Sequence, residues 1–191
     1  TDVGTALLRL NRVLARHTDK VAVLHLVEEV TVPYLTVPEA RFVRAQAAAN
    51  AREVLKAQAE IDQALVLRPD WEMAAVFKFQ LLPAGDTTLN FAAGFLRQHP
   101  DARELRLGYA RMLVSEKRYD DARREFTILR EALPDNPDIA YAVGILALQL
   151  DDTKEAEIHL KKVVELGQGR TDSARFYLGQ IAEFEQRYPD A

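Results

Sequence analysis

Cysteine is absent from the 191 residues, which excludes disulfides and thiolate chemistry. The absence leaves the compartment open, because oxidising and reducing compartments both hold cysteine-free proteins. Serine is almost absent as well: Ser115 and Ser173 are the only two, and neither sits in a G-x-S-x-G elbow. Histidines are few and scattered; His17, His25, His99 and His159 match no metal spacing such as H-E-x-x-H. No metal or other cofactor is expected. The longest uncharged run, residues 139–150, has twelve residues, well short of the roughly 20 that cross a bilayer as a helix. There is no excess of positive charge either. The formal net charge is −4, with Lys and Arg interleaved among acids, so the electrostatic footprint of a nucleic-acid binder is missing.

A starting methionine is also lacking. Thr1 opens the chain, so a processed protein or an excised piece of a longer one is expected, with any signal or lipid-attachment segment already removed. What remains is 48% apolar and 28% charged, a composition that folds into a buried core.

The strongest signal is a period. Ala110 and Gly144, Ala122 and Ala156, and Pro100 and Pro134 each stand 34 residues apart. Two antiparallel helices of about a dozen residues, with their turns, consume that length. Each period has the same interior: Arg106, Tyr109, Ala110 and Leu113 precede Ala122, Phe126 and Pro134, while Ala140, Val143, Gly144 and Ala147 precede Ala156 and Leu160. Upstream, Arg41, Arg44, Ala45 and Ala48 lead to Ala57, Ile61 and Pro69; downstream, Arg175, Leu178, Gly179 and Ala182 begin another period. The phrase "EKRYDDA" at residues 116–122 returns as "EQRYPDA" at 185–191, and both copies are expected to turn a first helix into a second.

This pattern resembles the tetratricopeptide repeat over residues 38–191. The resemblance implies an all-α, right-handed superhelical solenoid of antiparallel helix pairs: about four repeats plus a truncated last one, in a single continuous array. Residues 1–37 then read as a divergent helical pair at 5–17 and 19–30, either a cap or a degenerate repeat. Arg41, Arg106 and Arg175 stand where the family carries tryptophan. Each stem is expected to cover apolar surface while its guanidinium reaches solvent or an acid on the preceding helix. Small residues at 45, 110, 144 and 179 are expected where the paired helices cross. Asp101 with Glu104, and Asp152 with Glu155, read as capping boxes; Asn136 before Pro137 reads as an N-cap, and Asp86 as the cap after "LLPAGD". Trp71, beside Pro69, is expected to pack between repeats.

In this family the groove is lined by first-helix side chains. Carried onto this chain, those positions include Phe42, Gln46, Met73, Phe77, Gln80, Leu107, Arg111, Tyr141, Ile145, Gln149, Phe176 and Gln180. Such a lining suits an extended or helical peptide held by apolar pockets and a few amide hydrogen bonds, unless neighbouring helices fill the groove themselves. The family's carboxylate clamp of Lys and Asn has no counterpart, since Leu107, Gly108 and Arg111 stand at those positions. Other candidate chemistry fails on context. "GQGR" at 167–170 lacks a preceding strand and a G-K-[ST] ending and falls at a turn between repeats.

The expected function is therefore non-enzymatic: a scaffold or adaptor that recruits a partner protein through an apolar groove. The alternative is a regulatory solenoid cut from an enzyme whose catalytic domain lies elsewhere. Within the first reading, the alanine- and arginine-rich repeats look like those of bacterial envelope proteins, which favours a periplasmic or outer-membrane-anchored setting over the cytoplasm. A last first-helix without its partner leaves Leu178, Ile181 and Ala182 uncovered, so association of two copies through that end is expected.

Overall fold

The computed structural model describes residues 2–187. Among them are eleven α-helices: α1 (Val3–Leu14), α2 (Lys20–Thr31), α3 (Pro38–Asn50), α4 (Val54–Leu67), α5 (Glu72–Leu81), α6 (Asp86–Gln98), α7 (Arg103–Ser115), α8 (Tyr119–Ala132), α9 (Pro137–Gln149), α10 (Thr153–Leu166) and α11 (Thr171–Arg187). A short 3-10 turn, Val32–Tyr34, follows α2. The chain divides within α7 into two compact units, the first ending at Leu105 and the second starting at Arg106.

The turns inside the helix pairs share one backbone design. Arg52, Lys117 and Asp151, each the fifteenth residue of its repeat, have φ of 66°, 60° and 56°. At each turn this left-handed residue donates to a carbonyl three residues back, and the next residue donates to one five back: Glu53 to Ala48, Arg118 to Leu113 and Asp152 to Ala147, at 2.9, 2.8 and 2.9 Å. That is the Schellman closure of a helix end, which consumes two orphan carbonyls.

Helix starts are marked as side-chain chemistry dictates. Asn136 Oδ1 accepts from the amides of Asp138 and Ile139, and Asp152 Oδ1 from that of Glu155. Two starts differ from expectation. Asp86 is the first residue of α6 and not its cap; Gly85 holds that place with φ of 131°, a conformation glycine adopts without steric cost. At α7 the amides of Glu104 and Leu105 donate to Glu72 Oε1, at 2.7 and 3.1 Å, so a carboxylate on α5 takes the role expected of Asp101.

In the first unit α1 and α2 pack against α3, and Leu7, Val23, Leu24, Val27, Val43 and Ala57 form one core cluster. Beside it Phe42, Ala45, Ile61, Ala64 and Ala74 form a second. Trp71 packs there against Phe42, joining consecutive repeats as expected. In the second unit Ala140, Ala147, Ala156, Leu160, Val163, Ala174 and Ile181 tie α9, α10 and α11 together. Ala45 and Ala110 are wholly buried, and at Gly144 an added Cβ would stand 2.9 Å from Leu160 Cγ, so close helix crossing explains the small residues there.

The end of the array departs from the repeat pattern. A Cβ on Gly179 would meet nothing within 4 Å, and Ile181, expected to be bare, is buried in the core. Leu178 is half-buried and Ala182 exposed. Residues 185–187 continue α11 where the "EQRYPDA" phrase predicts a turn, and Tyr188 to Ala191 lie outside the described residues. Glu, Gln and Arg are strong helix formers. Among the described residues no further helix packs there to favour a turn.

Candidate functional site

In the second unit, first helices and a turn converge on a cavity of about 240 Å³. α7 supplies Arg111 and Val114, α8 Phe126, and α9 Tyr141, Ala142 and Ile145, with Arg170 from the turn before α11. Arg111 and Ile145 meet because they hold equivalent positions in consecutive repeats, 34 residues apart. The Arg170 guanidinium lies over the Tyr141 ring, 5.1 Å from its centroid, and 4.0 Å from Asp138. A cation held on a ring face gains electrostatic attraction. The result is an apolar floor with an arginine on either side, suited to an apolar side chain whose neighbours carry negative charge or carbonyl oxygens.

Of the sequence-predicted groove residues, Arg111, Tyr141 and Ile145 line this cavity. Gln180 lines another, of about 270 Å³, with Leu148, Asp151, Tyr177 and Phe184. Phe176 is 62% exposed and meets Tyr177 edge-on at 5.6 Å. Leu107 is half-buried and Gln149 exposed, and neither borders these cavities.

The first unit is different. Phe42 is 2% exposed, with Trp71 at 4.9 Å and Phe77 edge-on at 5.6 Å. Arg68 covers the outer face of Trp71 at 4.7 Å and forms an ion pair with Glu39 at 2.6 Å. Gln46 accepts a 2.5 Å hydrogen bond from Asn11. Here the chain's own rings and amides occupy those positions, while Met73 and Gln80 remain exposed.

The arginines at the family's tryptophan position form clasps. Arg41 donates to Glu60 Oε2 at 2.9 Å and to the Leu35 carbonyl at 3.0 Å, and Arg44 donates to Glu60 Oε1 at 2.8 Å. Arg106 pairs with Glu125. Both acids stand 19 residues after their arginine, on the second helix of the same pair. The expectation of an acid on the preceding helix is corrected accordingly: the stem lies along its own pair, within reach of that pair's second helix. Arg175 reaches Asp172 at 3.5 Å on its own helix. In the repeat of α9 and α10 both partners are replaced, by Ala140 and His159.

Sequence reasoning missed Arg170 and Phe126 as lining residues. Arg170 lies in the "GQGR" turn, read as a connector, and Phe126 stands at a consensus core position. The signal for Arg170 was an arginine beside a glycine-rich turn, facing the aromatic start of a first helix. Among the described residues no three or more His, Cys, Asp or Glu come together as metal ligands. No described helix is long and apolar enough to cross a membrane.

Residues 86–146 match the family model of the tetratricopeptide repeat. No curated protein sequence matches the chain. Among solved structures, MamA 41-end from Desulfovibrio magneticus RS-1 is similar at a TM-score of 0.68 and 19% identity, over 87% of this chain and 96% of that one. A further MamA crystal structure gives 0.67 at 12% identity, over 87% and 95%. YrrB gives 0.60 at 14%, over 84% of both chains. The 34-residue period, the recurring left-handed turn and these likenesses agree: residues 86–146 match the tetratricopeptide repeat, and the described residues are all-α with the fold of such repeat proteins.

Proposed function

We propose that the chain is a protein-interaction scaffold whose second unit holds an extended or helical peptide of a partner protein, with an apolar side chain seated on Tyr141 and Ile145 between Arg111 and Arg170. The observation that carries this reading is the meeting of three groove positions, Arg111, Tyr141 and Ile145, in one open cavity. Aromatic and arginine side chains at the centre of such a surface dominate binding energy elsewhere. YrrB, which shares the fold, is described as having an unusual peptide-binding site. The first unit contributes less to such a groove, because its own rings occupy it.

The test is affinity capture of partners with the full chain, repeated with Tyr141→Ala and Ile145→Glu. Each variant is expected to lose captured partner by roughly tenfold, as removal of a central anchor does, while keeping the helical spectrum and melting temperature of the parent. Equal capture by the parent and both folded variants would overturn the reading.

A further inference from the structure

A second cleft opens on the other side of α9. It has two lobes, of about 560 and 190 Å³, which share Arg130 and Val143. The walls are α8 and α10 and the floor is α9. At about 100° per residue, Ile139, Ala140 and Val143 face away from Tyr141 and Ile145. The cleft therefore lies across α9 from the groove described above, with Phe126 bordering both the groove and the smaller lobe.

Its origin lies in the repeat itself. In the first unit the same seam, between α2 and α4, is filled by the chain. Arg41 and Arg44 hold Glu60, and Arg44 also reaches the Glu28 carbonyl and Thr31 hydroxyl of α2, each at 3.5 Å. The corresponding positions in the second unit carry Ala140, Val143 and His159. Two long cations and an acid have given way to short apolar side chains and an imidazole. The larger lobe is bordered by those three residues.

The rim is basic. Arg130, Lys161 and Lys162 border the larger lobe against one acid, Glu165, and Arg123 faces Glu155 across the smaller. Lys162 pairs with Asp135 at 3.1 Å and Lys161 with Glu157 at 2.7 Å. Arg130 makes no ion pair among the described residues. From Ile139 to Leu146 the floor is about 10 Å long at 1.5 Å per helical residue, the span of about three extended residues.

We propose that this cleft is a second docking surface, for an acidic peptide segment that lays an aliphatic or aromatic side chain on Ile139, Ala140 and Val143 and turns its carboxylates toward Arg130. The ligand brings its own apolar side chain and anionic groups to a seam that the first unit fills for itself. Length and charge select a peptide: the cleft is elongated, and Arg130 stands on one wall without an ion pair among the described residues, while Arg123, Lys161 and Lys162 are held by acids.

The experiment titrates fluorescein-labelled Glu-Glu-Leu-Phe-Glu-Glu, its counterpart with lysines for the glutamates, and octanoate against the full chain. The acidic peptide is expected to bind and the lysine peptide to fail. Ala140→Arg combined with His159→Glu, which rebuilds the Arg–Glu clasp, is expected to weaken binding at least tenfold without lowering the melting temperature. Arg130→Glu, at an exposed position, should weaken binding likewise and serves if the double variant does not fold. Arg111→Ala is measured alongside to read any share of the peptide bound in the first groove, and Arg16→Ala, at an exposed position of the first unit outside both sites, should bind as the parent does. The proposal is overturned by absent binding, by equal binding of the lysine peptide, by unchanged binding in folded clasp or Arg130 variants, by loss only in Arg111→Ala, or by octanoate binding where the peptide does not. Loss of partner capture in the Tyr141 variant would leave this outcome unaffected.

Discussion

Gly144 of α9 faces Leu160 of α10 so closely that a Cβ on the glycine would stand 2.9 Å from the leucine Cγ and 3.1 Å from its Cδ2. Leu160 is fully buried, with core neighbours on every side, so it has little room to retreat.

Substitution at this crossing should therefore cost stability. Gly144→Leu is expected to lose about 1–3 kcal/mol by overpacking, and Gly144→Ala less, because one methyl asks only a small shift of Leu160 and raises helix propensity. Urea denaturation of the three proteins checks the order. A leucine variant as stable as the parent would place the crossing elsewhere.

The left-handed turn residues predict a gain. Lys117 has φ of 60° and is exposed. A residue with a Cβ pays about 1–2 kcal/mol for that conformation, part of which glycine returns through the greater freedom of its unfolded chain. Lys117→Gly should raise stability by about 0.5–1 kcal/mol with the helix pair intact. Thermal melts at matched pH measure it, and a loss would contradict the turn geometry.

His159 predicts a pH dependence. Burial holds its pKa below the ordinary histidine value, Arg130 and Lys162 add to that, and Glu155 opposes them. With the folded pKa depressed, the unfolded chain binds the proton first as pH falls. The stability contribution is thus present above the ordinary histidine range and is lost as pH drops through it to the folded pKa. His159→Asn should lose less stability than the parent between pH 7.5 and 5.5, by urea melts at each pH. Parallel losses would show that His159 is not held neutral.

Much of this fold was legible because a repeat is written several times over. The 34-residue period located the helix pairs, and Ala45, Ala110 and Gly144 located their crossings. Three features lay beyond it. The clasp acid was placed on the wrong helix, because spacing in sequence does not tell which neighbour a long arginine stem follows; the recurrence of an acid 19 residues on, at Glu60 and Glu125, carried that information. Family positions named Phe42 and Tyr141 alike, yet the first is buried under Trp71 and the second borders a cavity. The difference comes from side chains on other helices. The cap of α7 by Glu72 joins residues 32 apart, and α5 and α7 start 31 residues apart where α7 and α9 start 34 apart, so no local motif announces it.

The irregular repeat has a consequence of its own. α5 has ten residues where α3, α7 and α9 have thirteen, which makes it about 4.5 Å shorter. The lost stretch is the one on which the longer helices end in the polar residues Asn50, Ser115 and Gln149. On α5 the half-exposed Met73 and the exposed Gln80, one residue from the helix end, stand about two turns apart, so under the proposed function a guest would meet the apolar and the amide contact of this repeat within a shorter span.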